Sequence, residues 1–308
     1  MDPYVPEEVA MKVKRIVVGV DFREPSVAAA RWTAREFAPG AEIVLLHVVD
    51  VPRPPRILRG ALAPADRVAE VAVTGARARL AELGPWVDED RVVPEVVVGR
   101  ASDRLIEAAD LHGADLLVVG EHARRRGMWE WLGTTAEKVV RDAAVPVLVA
   151  RGMPVGPPGR IVAAVDHSSG GLRALRWAAF LGRHLGARVV AVHALEPAVH
   201  ATVEVTAGLP AAVMPATEMT DDVRIETERW LTEEAREAGV YRDLADCQVT
   251  IGGAVDQILA AIERERADLV VLGSRGAPSP VGTFLGGVAR SVLRRARGPV
   301  LLVGPLGR

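Results

Sequence analysis

A single cysteine, Cys247, stands among 308 residues. An intramolecular disulfide framework is therefore excluded, and a reducing compartment fits. No run of about 18 apolar residues occurs, which argues against a membrane-spanning helix. Residues 1–14 carry acids and prolines where a signal peptide carries an apolar stretch. A cytoplasmic chain with no membrane partner is expected. Charge of one sign is lacking too. The net charge of −2 divides into 21 basic and 23 acidic side chains in residues 1–152, and 17 of each in 153–308. A general nucleic-acid binder shows a basic excess, so no nucleic-acid partner is expected. Only three lysines accompany the arginines, a bias of GC-rich coding. Several chemical signatures are missing as well. No G-x4-G-K-(S/T) supplies a P-loop lysine, no Cys/His cluster suits zinc, and no G-x-S-x-G makes a nucleophile elbow. No catalytic residue and no metal ligand is assigned, because no constellation places charge on a transition state.

What is present is a repeat. Gly120-Glu121-His122-Ala123, Gly133-Thr134 and Pro146-Val147-Leu148-Val149 recur as Gly273-Ser274-Arg275-Gly276, Gly286-Gly287 and Pro299-Val300-Leu301-Leu302-Val303, each landmark displaced by 153 residues. Each glycine loop follows an apolar run, 114–119 or 267–272, that reads as a buried parallel strand. Glycine after such a strand lets backbone N–H groups approach phosphate oxygens with no Cβ in the way. The second glycine pair opens an apolar-periodic helix, whose N-terminus adds partial positive charge.

The rest of the chain fits the same doubling. In the first half a strand at 15–21 precedes a helix for which Ser26 is the expected N-cap. A strand at 42–49, a helix at 66–83, a strand at 92–98, a helix from Asp103, and the glycine loop, helix and last strand follow. The second half repeats this order from Arg160, with long loops at 50–65 and 196–220. The order β-α-β-α-β-α-β-α-β implies a mainly parallel five-stranded sheet with helices on both faces. Two such α/β units are expected, 1–152 with its core at 15–150 and 153–308 with its core at 160–304. The Pro/Gly-rich stretch 151–159 links them.

These residues resemble the tandem form of the universal stress protein family. The resemblance rests on Val20-Asp21 and Val165-Asp166, Leu46-His47-Val48 and Val192-His193-Ala194, the Ala-Asp-Leu runs at 114–116 and 267–269, the G-x2-G-x9-G-(S/T) pattern and the terminal Pro-Val-Leu strands. It implies two Rossmann-like nucleotide folds with ATP, alone or with Mg²⁺, bound across the strand-order switch. By position, Asp21 and Asp166 would contact adenine or ribose, and Val48 and Ala194 would face the adenine. Gly120, Ala123, Gly273 and Gly276 would form the phosphate loops, and Gly133, Thr134, Gly286 and Gly287 would hold phosphates through backbone N–H groups. Repeat one departs by Ala123 and repeat two by Gly287, which lacks the Ser/Thr hydroxyl. A lost neutral hydrogen bond costs about 0.5–1.5 kcal/mol, enough to weaken binding without abolishing it. The resemblance also implies pairing of the last strands, here within the chain as a pseudo-dimer, with a homodimer built on it. An ATP-binding regulator of a stress response is the expectation. A slow ATPase and a nucleotide-free scaffold are the alternatives.

Other side chains keep two readings. Asp21 and Asp166 serve either as ligands or as caps of the next turn. His47 and His193 read as structural histidines, with a catalytic base as the minority role. Arg124 to Arg126 and Arg275 are either solvated or phosphate neighbours. Arg53, Arg56 and Arg59 form either a lid or a solvated loop, and Trp129 and Trp131 read as packing groups.

Overall fold

The computed structural model describes residues 11–50, 65–87, 89–121, 133–196, 216–239, 245–275 and 285–304. In chain order the first half contains β1 (Arg15–Gly19), α1 (Glu24–Trp32), β2 (Glu42–Val49), α2 (Ala65–Val87), β3 (Val92–Val98), α3 (Ala101–Leu111), β4 (Leu116–Gly120), α4 (Thr134–Asp142) and β5 (Val147–Ala150). The second half contains β6 (Arg160–Ala164), α5 (Ser169–Leu185), β7 (Arg188–Leu195), α6 (Ala216–Glu237), β8 (Ala245–Ile251), α7 (Ala254–Glu265), β9 (Leu269–Gly273), α8 (Gly287–Arg295) and β10 (Val300–Val303).

The ten strands of the described residues join one sheet in the order β3-β2-β1-β4-β5-β10-β9-β6-β7-β8. Pairing is parallel within each half and antiparallel only at the centre, where Val149, Leu148 and Val147 face Val300, Leu301 and Leu302. The central strands are apolar along their length because helices cover both faces. One layer is α1, α2, α5 and α6, around a core that includes Phe37, Leu80, Leu148, Leu175, Leu231 and Leu301. The other is α3, α4, α7 and α8, over Leu105, Val139, Ile258, Val292 and Leu302. Both cores run across the seam between β5 and β10, so the expected intrachain pairing of the last strands closes two edges that would otherwise stay open. The outer edges are β3 and β8. Pro94 sits in β3, an edge position where its missing N–H breaks no ladder.

Two local expectations are corrected. Ser26 is not the cap of α1. That role falls to Arg23, with Pro25 in the first turn, where its fixed φ suits a helix start. Helix α2 does not end at Leu83 but carries Pro85 and continues to Val87. The proline lies in the last turn, where it forfeits a single backbone bond.

Candidate functional site

In each half the strand order reverses between the first and fourth strands, β1 and β4 or β6 and β9. Loops leaving adjacent strands in opposite directions open a crevice at the carboxyl ends of such a sheet. The sequence-predicted residues gather at those ends: Asp21 after β1, Gly120 at the end of β4, Asp166 after β6, Gly273 at the end of β9. Val48 and Ala194 lie on β2 and β7 beyond the last residues paired with β1 and β6, and both are half-buried.

Asp21 holds the β1–α1 turn. Its Oδ1 accepts from the Ser26 hydroxyl at 2.6 Å and from the Arg23 N–H at 3.0 Å, while its own N–H donates to Ser26 Oγ at 3.1 Å. Gly120 packs on this turn; a Cβ there would stand 3.0 Å from Ser26 Cα. Repeat two achieves the same closeness with more glycine. Asp166 Oδ1 accepts from the Ser168 N–H at 3.1 Å and from the Ser168 hydroxyl, and Ser168 Oγ caps α5 by accepting from the Gly171 N–H at 3.1 Å. A Cβ on Gly171 would lie 2.3 Å from Asp166 Oδ1, one on Gly170 2.4 Å from the Arg275 carbonyl oxygen, and one on Gly273 2.8 Å from Gly170 C. These three glycines allow three backbone segments to interlock. Both aspartates hold their own turns through Oδ1.

Glycines open α4 and α8. Gly133 caps α4 and Gly286 caps α8, both in non-helical conformation and without a side-chain cap bond. The first-turn N–H groups of such a helix lack intrahelical partners. Thr134 and Gly287, the first helical residues, are exposed, and nothing lies within 4 Å of a Cβ built on Gly287. Helix α8 has no acid in its first turn, whereas α4 has Glu137. The Gly286 N–H donates to the Ser274 carbonyl at 2.8 Å, and the Ser274 N–H to that of Val303 at 2.9 Å. The start of α8 is thereby tied beside the exit of β9. Ala123, Gly276, Arg53, Arg56, Arg59, Arg124 to Arg126, Trp129 and Trp131 lie outside the described residues.

His47 and His193 are each held by a backbone carbonyl. His193 Nδ1 lies 2.8 Å from the Val165 carbonyl and His47 Nδ1 2.7 Å from that of Val20. A carbonyl only accepts, so each Nδ1 carries the proton. Burial pushes the His193 pKa below the ordinary histidine value. Around His193 the rings of His167 and Trp230 lie 3.8 Å apart. The matching place in repeat one holds Phe22, 4.3 Å from His47, with the Arg79 guanidinium over its face.

Arg275 and Arg151 each cross between the repeats. Arg275 Nη2 donates to the Arg141 carbonyl in the last turn of α4 at 3.2 Å. Arg151, only 7% exposed, donates Nη1 to the carbonyl of Ala296, the C-cap of α8, at 3.1 Å and pairs with Glu121 Oε1 at 3.1 Å. Sequence reasoning placed Arg151 in the linker and missed this role; its only signal was a position directly after a buried strand. A cavity of about 580 Å³ adjoins this junction, between α1 and the linker, lined by residues that include Trp32, Arg35, Glu121, Arg151, Met153 and Pro154. Among the described residues no group of three His, Cys, Asp or Glu suits a metal ion, and no helix is long and apolar enough to cross a membrane.

The universal stress protein family model matches residues 12–151 and again 158–304. A universal stress protein of Mycobacterium tuberculosis strain H37Rv is 27% identical over 304 residues, covering 93% of this chain and 95% of the relative. A second one from that strain is 28% identical over 297 residues, covering 95% and 97%. Among solved structures, a universal stress protein from Archaeoglobus fulgidus superposes with a TM-score of 0.67 at 20% identity, covering 96% of this chain and 99% of that one. Two consecutive family matches on a doubled α/β sheet leave one conclusion: this chain belongs to the universal stress protein family, in tandem form.

Proposed function

We propose that this chain is an ATP-binding regulator with one adenine-nucleotide site in each repeat, 1–152 and 153–308, and without strong catalytic activity. The observation that carries the reading is a glycine-ended strand at the reversal of strand order, built twice and followed each time by a helix whose N-terminus has no side-chain cap, the two being tied together at 2.8 Å in repeat two. Such an N-terminus carries about half a positive charge and several N–H groups without intrahelical acceptors, the natural partners of phosphate oxygens. In repeat two the N–H groups of Gly287 and the next residues serve the phosphates, since that of Gly286 holds Ser274. Asp21 and Asp166, fixed at the crevice by their turns, serve the ribose or adenine edge, and Val48 and Ala194 supply apolar contact to the base. Arg275, whose guanidinium reaches Arg141, contributes to the second loop chiefly by positioning it. Mg²⁺ fits as a passenger of the phosphates, because that ion is commonly held by phosphate and water with one or two carboxylates. The setting is cytoplasmic, the biological role a stress response, and the assembly a homodimer.

The test is to denature freshly purified protein and identify the released nucleotide by chromatography, with its molar ratio. Up to two ATP per chain are expected. A chain that releases none and shows no thermal shift would refute the reading, because a ligand at 100 times its Kd adds about 2.7 kcal/mol.

A further inference from the structure

We infer that the two nucleotide sites are positively coupled through Arg151 and Arg275. This rests on the nucleotide reading above and adds a regulation of the same sites.

The two arginines make equivalent crossings in opposite directions. Arg275 belongs to the glycine loop of repeat two, and its guanidinium holds the last turn of α4 in repeat one. The first turn of α4, at Gly133 and Thr134, is the phosphate end of site one. Arg151 pairs with Glu121, next to Gly120 in the loop of repeat one, and holds the C-cap carbonyl of α8 in repeat two. The first turn of α8, at Gly286 and Gly287, is the phosphate end of site two. Each phosphate helix therefore has one end in its own site and the other end bonded to an arginine that bears on the opposite loop.

These helices are nine residues long, about 13 Å at the usual rise per residue, and a helix that short moves as a rod. Arg290, in α8, lies 3.8 Å from Glu137 in α4, a half-exposed ion pair too long for a hydrogen bond. The sheet is continuous beneath them through the β5–β10 seam. A nucleotide at site one fixes the start of α4, hence the acceptor of Arg275, hence the loop of site two. A nucleotide at site two fixes α8, hence the acceptor of Arg151, hence Glu121 and the loop of site one. The second nucleotide then meets an Arg275 or Glu121 whose partner is already fixed, and a restriction already imposed need not be imposed again. Linkage makes the effect equal in both directions.

The experiment is a set of ATP titrations of the full chain by calorimetry. Thr134→Asp and Gly287→Asp each place a carboxylate at one phosphate helix start, weakening that site about 10- to 100-fold so that the other is titrated first and its constant read separately. If the sites were independent, the product of the two single-site constants would equal the overall two-site constant of the wild-type chain. The expected excess is at least about fivefold. In Arg275→Met, and in Arg151→Lys, which keeps a charge at the buried position, the excess in the same product test is expected to fall, and in the double variant to return to a ratio near one, with folding checked by circular dichroism. A wild-type ratio near one, or an excess that survives both arginine substitutions, overturns the coupling while leaving the nucleotide sites intact. No binding by the wild-type or either single-site chain overturns the nucleotide reading, and the coupling with it.

Discussion

Gly287→Asp separates a nucleotide site from a mere helix start, because folding and binding should move in opposite directions. Gly287 is the first residue of α8, is exposed, and has open space where a Cβ would stand, so a side chain fits without rearrangement. Replacing glycine removes chain entropy from the unfolded state, worth about 0.4–1 kcal/mol. A carboxylate at a helix N-terminus adds about 0.3–1 kcal/mol through the dipole. No acid occupies the first turn of α8 now, so no like charge opposes it there. The nucleotide-free variant should therefore melt a few degrees higher, at roughly 2–4 °C per kcal/mol. Binding should suffer. A carboxylate about 5 Å from a phosphate charge costs on the order of 3 kcal/mol at an effective dielectric of about 20, and solvent at this exposed position reduces that to about 1–3 kcal/mol. ATP binding at repeat two should weaken roughly 10- to 100-fold. Differential scanning calorimetry without nucleotide and isothermal titration with ATP read the two effects. A variant that melts lower, or that binds ATP at both repeats as tightly as the wild type, would refute the phosphate role of this helix start.

Gly171→Ala should be costly although it adds only a methyl group, since its Cβ would lie 2.3 Å from Asp166 Oδ1 and 2.6 Å from the Asp166 backbone. A loss of at least about 2 kcal/mol is expected in urea unfolding, and a loss below about 0.5 kcal/mol would show that this junction is not closely packed. His193 should make stability fall in acid. Its folded-state pKa lies below that of the unfolded chain because burial disfavours the imidazolium. Its neutral form is thus accommodated above about pH 6.5, the ordinary histidine value. Stability is lost as pH falls from there toward the depressed folded value, and levels off below it. Wild type and His193→Asn, compared by urea unfolding between about pH 7.5 and 5, should differ in slope over that window; parallel profiles would contradict the assignment.

Much of the fold was legible in the sequence. Strands such as 116–120 and 269–273 are short apolar runs bounded by acid and glycine, and the constant displacement of 153 residues exposed the doubling. The site was legible as far as its glycines and aspartates, whose residue types are demanded by close backbone approach and by tight turns. Ser26 was misread as a cap because a hydroxyl near a helix start looks the same in sequence whether it caps the helix or, as here, bonds back to Asp21. Arg275 and Arg151 could not be placed, since their acceptors lie 134 and 145 residues away in sequence and no local pattern encodes such a distance.

The sequence by itself determined the repeat, the alternation of strands and helices and the glycine loops, because each depends on the conformational preferences and periodicity of neighbouring residues, and its motifs carried the resemblance to the family. The resemblance implied that the last strands pair within the chain; only the tertiary structure decided that Leu148 meets Leu301 in antiparallel register, and that each glycine loop is tied to the far end of the other repeat's helix. Those outcomes depend on which buried edges meet once both halves have formed, and an apolar strand such as 147–150 carries no mark of its partner until it is docked.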